Sequence, residues 1–521
     1  MSQSAYSPTE EQSVIMKADE PLLAITAYAG TGKTSTLRFF SESRPRARTL
    51  YLAFNRTMAD HAKQAFNNCP QVETRTIHSL AFKYRGRDYQ NALVSNYRPI
   101  QLLDHLKKAG LEDNYYMARI LCDILGRFQM SAHASIPEFL KKEAFYFYPN
   151  LAVALKKPVD DKRTLKKTLT KLGAVAAKLW QAIIDRNFPI THNGYLKLFQ
   201  LEPVSLSYDW ILVDEAQDLN DCMIDLILNI PGQKVLVGDP YQQIYEWNGA
   251  VNALKKTAGL SAAYFLTRSF RCPQQVADLA NQVLKLLSAP KQFFGTQAPK
   301  PQGSGPTAMI ARTTFGVFKF AAENCEKHRL AFNGGLAAYE FDMVKEIYYL
   351  KAQKKYQIKS SFLNNFDSFE NLVDYADHAA DAQLTGKIKL VERYKDQIIS
   401  LYDLIAKNEK PIEAADFVLT TAHRVKGQEF GSVILAEDFV DLPGVIQALL
   451  RARDKFNKEN QLRQKPARFE PLTVRAEEIR LLYVAMTRTR GQLAVEPHYM
   501  FSNGFVDNFL SLVKGGWLKL T

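Results

Sequence analysis

The sequence contains no run of about 18 apolar residues, which excludes a membrane-spanning helix of ordinary length. Its opening, MSQSAYSPTEEQ, has neither the basic stretch nor the apolar core of a secretion signal, so a cytoplasmic or otherwise intracellular location is expected. Cysteine is scarce: Cys69, Cys122, Cys222, Cys272 and Cys325 lie far apart, without the CxxC spacing of a zinc or iron–sulfur site or the pairing of a disulfide framework. There is no internal repeat. Acidic residues are outnumbered, 54 against 67 Lys and Arg, leaving a net charge of +13. Such an excess favours a polyanionic partner, because each phosphate neutralised by Lys or Arg releases condensed counterions; charge alone does not separate nucleic acid from an anionic membrane. Apolar residues (46%) and charged residues (23%) occur at ordinary globular levels, so the chain should bury substantial cores. At 521 residues it exceeds what one core organises, and at least two domains are expected.

The stretch PLLAITAYAGTGKTSTLRFF reads as a strand, a glycine-rich turn and a helix opening at about Lys33. In that order Gly30 and Gly32 let backbone N–H groups curl around a phosphate, Lys33 reaches the terminal phosphates, and Thr34 can hold a magnesium ion. Ala29, Thr31 and Ser35 complete the nucleotide-binding stretch, and Ala27 stands where the general pattern has its first glycine. A second element is DWILVDEAQD, in which Ile211, Leu212 and Val213 form a short buried strand ending in Asp214 and Glu215. Carboxylates at the C-terminal end of a strand face the ligand crevice of an open α/β sheet. Asp214 suits magnesium, and Glu215 can polarise an attacking water. Without the phosphate loop the pair would read equally well as a solvated acidic turn; with it, nucleotide hydrolysis is the expectation.

Further motifs follow in order: LYLAFNRTMADHAK, TIHSLA, VGDPYQQIYEWNGA, LTRSFRCP, TAHRVKGQEF and RLLYVAMTRTR. The series resembles superfamily 1 helicases of the UvrD/Rep/PcrA group across residues from about 6 to 490. AYAGTGKTST, LYLAFNR, ITHNGYLKLFQL and GDPYQQIY resemble the F-box DNA helicase branch most, although no F-box segment precedes them. The resemblance implies a reader of the adenine edge at Gln12, an aromatic stacked on adenine at Phe270, and a carboxylate near the nucleotide at Glu429. It further implies that Gln242 couples the γ-phosphate to the DNA site and that Arg271 and Arg488 are arginine fingers. For the strand it implies Trp247 stacked on bases, Tyr245 beside it, and polar contacts from Asn55 and His78. Taken singly, Gln12 reads as a helix-surface amide, Phe270 as core, the arginines as surface ion-pair residues and His78 as structural; the ordered series carries the functional reading. Three positions depart from the UvrD pattern: Asn248 replaces an arginine, Gln428 a leucine, and the aromatic of the FTN string is shifted to Phe54.

Lys33 and Asp214 are separated by about 180 residues, far more than a strand–helix–strand connection needs, so an insertion must lie between them. The expected architecture is α/β: two RecA-like P-loop NTPase domains with mostly parallel sheets, each carrying a helical insertion. The first domain takes residues 1–89 and 186–260 around an insertion at 90–185; the second takes 261–325 and 411–521 around a reduced insertion at 326–410. Lys156, Lys157, Lys162, Arg163, Lys166, Lys167 and Lys171 form a basic run that reads as a solvated helix face or as a surface tracking nucleic acid. PKPQGSGP, residues 299–306, marks a loop, and the polar, basic stretch 451–468 reads as a mobile loop or a strand contact. About 30 residues follow the last motif, too few for a fused nuclease domain. The resemblance implies an ATP- and Mg2+-dependent motor on single-stranded DNA and single-strand/duplex junctions. Movement would run from 3′ to 5′ as ATP closes a cleft between the domains. The location would be nucleoid-associated in a bacterium or nuclear in a eukaryote. The rival reading is a DNA-sensing ATPase subunit that regulates a partner nuclease or a recombination or repair factor; no membrane partner is expected.

Overall fold

Strands buried on both faces read as near-continuous apolar runs, and the sequence supplies them at the positions that later carry the chemistry. The computed structural model describes residues 7–112, 114–246, 249–296, 305–378, 382–461 and 469–521. The chain divides into two units: residues up to Ala27 with Gly32–Leu266, and Tyr28–Thr31 with Thr267–Thr521.

In the first unit six strands, β1 (Leu22–Ala27), β2 (Thr49–Ala53), β3 (Val72–Thr76), β4 (Trp210–Val213), β5 (Gln233–Gly238) and β6 (Ala262–Leu266), form one sheet in the order β3-β2-β4-β5-β1-β6. Every pairing is parallel. Alternate residues serve opposite faces, as a period of two requires. Ala24, Leu50, Leu52, Ile211, Val213 and Leu236 join one core, while Leu23, Ile25, Tyr51, Trp210, Leu212, Val235 and Val237 join the other. The first of these cores continues into the inserted helices Tyr115–Met130, Ile136–Ala154 and Lys162–Ile184, through Leu121, Phe128, Phe139, Leu165, Leu172 and Leu179. The insertion therefore shares its core with the sheet.

Helix Lys162–Ile184 shows how the basic run is arranged. Leu165, Leu169, Leu172, Ala176 and Leu179 recur at helical spacing and are buried, whereas Lys162, Arg163, Lys166, Lys167 and Lys171 are exposed. From Lys162 to Lys171 the run lies on the solvent face of an amphipathic helix, while Lys156 and Lys157 precede it.

The second unit opens with β7 (Arg268–Pro273) and contains a five-stranded sheet of β8 (Thr307–Ala311), β9 (Leu330–Phe332), β10 (Phe417–Thr421), β11 (Phe430–Leu435) and β12 (Thr489–Ala494). Its order is β9-β10-β8-β11-β12, again parallel throughout. Helices Phe341–Lys351, Phe369–His378, Ala382–Tyr394 and Gln397–Asn408 fill the span between β9 and β10. Both sheets are parallel α/β sheets, as expected. Two edges differ from the sequence-based boundaries: β6 completes the first sheet although 261–325 was assigned to the second domain, and β9 lies inside the span 326–410 read as helical. Strands of five and three residues are too short to outweigh the periodicity beside them. No helix among the described residues is long and apolar enough to cross a membrane.

Candidate nucleotide and strand site

Strands β1, β5 and β4 are consecutive neighbours, so the loops leaving their C-terminal ends emerge side by side. The loop after β1 runs into helix Lys33–Glu42, whose N-cap Gly32 has φ +82°. A left-handed cap costs glycine nothing and turns the first N–H groups of the helix toward an anion.

Lys33 Nζ lies 2.8 Å from Glu215 Oε1, each side chain only 14% exposed. Burial opposes the lysine's charge, but the carboxylates of Glu215, Asp214 and Asp239 outweigh it and hold the pKa above the ordinary lysine value. Asp214 receives three hydrogen bonds: from Thr34 Oγ1 (3.1 Å), Tyr51 Oη (2.7 Å) and the Glu215 N–H (2.9 Å). Burial and the neighbouring Glu215 raise its pKa against the pull of Lys33. Glu215 itself sits in left-handed backbone, φ +53°, an uncommon state for a side chain with a Cβ and one that recurs where a site over-determines the chain. The Thr34 hydroxyl and Asp214 carboxylate are hard oxygen donors 3.1 Å apart beside a phosphate loop, a donor set that fits magnesium.

Gln12 is fully buried, which corrects its reading as a surface amide. Its Oε1 accepts from the Thr9 N–H at 3.0 Å and its Nε2 donates to Thr36 Oγ1 at 2.9 Å, tying it to the phosphate-loop helix. Ser35 is half-buried on the same helix. After β5, Gln242 donates to Asp239 Oδ2 at 2.7 Å. Tyr245 stacks on Phe54 with ring centroids 6.0 Å apart and planes 12° from parallel, so the displaced aromatic of the AFN motif meets the one after GDPYQQ. Asn55, exposed beside Phe54, caps helix Arg56–Ala65 by accepting from the Met58 N–H at 2.9 Å. His78 faces Asn193 Oδ1 at 3.2 Å, in a cluster with His192 and Tyr195. Burial lowers its pKa, with the Asn193 contact working the other way. Trp247 and Asn248 lie outside the described residues, as do residues 299–304 and 462–468 of the two loop assignments.

The second unit holds the loop tip Tyr28–Thr31. Ser269 Oγ donates to the Ala29 carbonyl at 2.9 Å, the Phe270 N–H to the Gly30 carbonyl at 2.8 Å, and the Ala29 N–H to Tyr483 Oη at 3.1 Å. Thr31 closes the turn with its hydroxyl on the Tyr28 carbonyl at 2.8 Å. Gly30 has φ +69°, and a Cβ there would lie 2.5 Å from Arg271 Cβ and 2.8 Å from Ser269 Oγ. Gly30→Ala should therefore cost about 2–4 kcal/mol, combining left-handed strain and overpacking. Chemical denaturation measures this loss; a wild-type midpoint would show that the tip does not hold this conformation.

Arg271 and Arg488 converge on Thr487. Arg271 Nη1 donates to the Thr487 carbonyl at 3.2 Å and Nη2 pairs with Glu429 at 2.5 Å, while its buried Nε has no hydrogen-bond partner among the described residues. Arg488 is 1% exposed; Nε donates to the Val484 carbonyl at 2.9 Å and Nη2 to Thr487 Oγ1 at 3.3 Å. Neither is a surface ion-pair residue. Glu429 is the shared anion of Arg271 and Arg490: burial pushes its pKa up, but the two guanidinium groups bring it below the ordinary value. Phe270 is partly exposed. Sequence reasoning missed Tyr51, Gln217, Ser269, Tyr483 and Thr487. Gln217 stood inside DEAQD, where only the carboxylates were read; Tyr483 and Thr487 stood inside YVAMTRTR.

Comparison with known proteins adds a family context. An AAA domain matches residues 10–248, and the UvrD-like helicase C-terminal domain matches residues 217–498. F-box DNA helicase 1 of Gallus gallus is 30% identical over 498 residues, 90% of this chain and 46% of that protein. F-box DNA helicase protein 1 of Schizosaccharomyces pombe is 27% identical over 539 residues, 93% of this chain and 57% of its own length. The ATP-dependent DNA helicase PcrA of Staphylococcus epidermidis is 24% identical over 304 residues, 53% of this chain and 39% of that protein. The chain thus spans about half the length of the F-box relatives it matches.

Proposed function

Because this chain belongs to the UvrD-like helicase family, we propose that it is a DNA-dependent ATPase that moves along single-stranded DNA, from 3′ to 5′, separating duplex or displacing bound protein. The observation that carries this reading is the assembly of Lys33, Thr34, Asp214 and Glu215 at the C-terminal edge of a parallel sheet, beside the loop that leads to Tyr245. Lys33 and the N–H groups of the glycine turn bind the phosphates, with Ala29, Gly30, Thr31, Gly32 and Ser35 shaping that turn. Gln12 and Phe270 position the base. Thr34 and Asp214 would hold magnesium, which neutralises phosphate charge when bound. Glu215 orients and deprotonates the attacking water, and Arg271 and Arg488 stabilise charge on the transferring phosphoryl, with Glu429 fixing the first guanidinium. Asn55, His78, Tyr245 and Trp247 contact the strand. Its substrates are single strands and single-strand/duplex junctions; the intracellular compartment would be the one that holds DNA.

Two measurements test the proposal. ATP hydrolysis should rise on adding a thymidine oligonucleotide, and purified protein should displace a strand from a 3′-tailed but not a 5′-tailed duplex. Hydrolysis without displacement would favour a DNA-sensing subunit acting on a partner nuclease or repair factor. Replacing Trp247 or Tyr245 with alanine should weaken strand binding by about 1–3 kcal/mol each. Affinities unchanged across a salt series would count against stacking at these positions.

A further inference from the structure

Helix Glu10–Lys17, which carries Gln12, has eight residues. That is too few to hold a helix in water, so its place is set by what it touches. Of its residues only Gln12 and Ile15 are buried, Ile15 in the core of Leu23, Phe40 and Trp210. Polar contacts supply the remaining hold. Near the N-terminal end the Gln12 amide is fixed in both senses: Oε1 accepts from the Thr9 N–H, and Nε2 donates to Thr36 Oγ1, whose own proton goes to the Gly32 carbonyl at 2.9 Å. One N–H and one lone pair of the amide are left for the edge of a base.

At the C-terminal end the hold is Arg44, in the turn that follows the phosphate-loop helix Lys33–Glu42. Nη1 donates to the Met16 carbonyl at 2.8 Å and Nη2 to the Ala18 carbonyl at 2.5 Å. The last carbonyls of a helix have no partner within it, and a guanidinium both satisfies them and sits at the negative end of the helix dipole. Nη1 also reaches the Phe40 carbonyl at 3.3 Å and Ser43 Oγ at 2.9 Å. The guanidinium carbon stands 3.8 Å from the centre of the Phe40 ring and 5.1 Å from that of Trp210, two rings that meet edge to face at 4.8 Å. One planar cation thus joins the C-terminal turns of two helices, the one that carries Gln12 and the one that begins at Lys33. Lysine, a point charge without a flat face, does not reproduce this set of contacts.

We propose that Arg44 is a positioning residue for adenine discrimination: it holds helix Glu10–Lys17 against helix Lys33–Glu42, so that the Gln12 amide meets the base at a fixed distance from the phosphate loop. This rests on the ATPase reading above and on the place of Gln12 in it. Recognition by a single amide needs placement within about 0.5 Å, so a small shift of the helix costs base recognition and leaves phosphate binding intact.

The test compares ATP with ITP on the full chain in the presence of a thymidine oligonucleotide. The two nucleotides differ on the purine edge, where an amino donor gives way to a carbonyl acceptor, so their ratio separates edge reading from stacking and from phosphate binding. Wild type should favour ATP in kcat/KM by about tenfold or more, the worth of one hydrogen bond. In Arg44→Lys, KM for ATP should rise about tenfold with kcat within about twofold, and the ATP-to-ITP ratio should fall toward one. Inhibition by inorganic tripolyphosphate, which has no base, should stay at the wild-type level. Arg44→Gln, which can still donate to one carbonyl, should show the same pattern and carries the test if the lysine variant does not fold. A wild-type ATP-to-ITP ratio in the variants, or tripolyphosphate inhibition weakened as much as ATP affinity, would overturn the role of Arg44 and leave the ATPase reading standing. Equal use of ATP and ITP by wild type would remove Gln12 as the reader and this inference with it. A wild-type protein that hydrolyses neither would overturn the ATPase reading as well.

Discussion

In a Lys33→Ala variant, ATP hydrolysis in the presence of single-stranded DNA is expected to fall by at least about 10²–10³-fold, the scale of losing one preorganised charge contact to a transition state. Strand binding should be largely kept, because the Phe54–Tyr245 pair and the basic surfaces are untouched. The lysine is held cationic by three carboxylates despite its burial, so no assay pH near neutral removes its charge. Its loss has a second consequence. Asp214 already has a raised pKa through burial and Glu215, and Lys33 is the cation that opposes the rise. Without it the pair must share a proton. A carboxyl with a higher pKa folded than unfolded stabilises while protonated and loses that contribution as pH rises through the folded value. The variant should therefore melt at a lower temperature at pH 8 than at pH 5, relative to wild type. Robust strand-dependent hydrolysis by the variant would remove Lys33 from the site.

Arg488→Lys should be nearly as damaging to turnover while sparing nucleotide binding. An arginine finger contributes about 10³–10⁵ to phosphoryl transfer in well-studied NTPases, and lysine does not reproduce a planar fork that reaches several acceptors at once. Here the fork is held in place by the Val484 carbonyl and Thr487 Oγ1, and Arg271 meets the same threonine through its carbonyl. A fall in kcat of about 10²-fold or more with KM within a few-fold is expected for Arg488→Lys and for Arg271→Lys. Glu429→Gln, which removes the charge that pairs with Arg271, should produce a smaller fall in the same parameter. Equal kcat in wild type and both lysine variants would reduce these arginines to structural groups.

The nucleotide-facing elements were legible in the sequence because their chemistry is written in consecutive residues. AYAGTGKT carries strand, turn and helix start in one string, and the helix begins at Lys33 as the motif requires. Ile211–Val213 was readable as a strand because a parallel strand buried on both faces leaves an apolar run. The family and the two-sheet α/β fold followed from the order of such strings. What stayed hidden depends on distant partners. Tyr51 reaches Asp214 across 163 positions and Tyr483 reaches Ala29 across 454, and a hydroxyl gives no linear sign of the group it will meet. Taken alone, without the ordered motifs that make it an adenine reader, Gln12 looks like a surface amide because its helix is short and polar; the structure buries it and sets its Nε2 on the Thr36 hydroxyl 24 positions away. The edge strands β6 and β9 escaped because five and three residues beside long helices leave too little pattern.

The most direct test is a structure of the chain bound to a thymidine oligonucleotide, magnesium and an ATP transition-state analogue. The γ-phosphate position should be met by Lys33 and by the guanidinium groups of both Arg271 and Arg488, with Thr34 and Asp214 on the metal. A nucleotide seated at Lys33 with neither guanidinium group within hydrogen-bonding distance of its γ-phosphate would contradict the proposed motor.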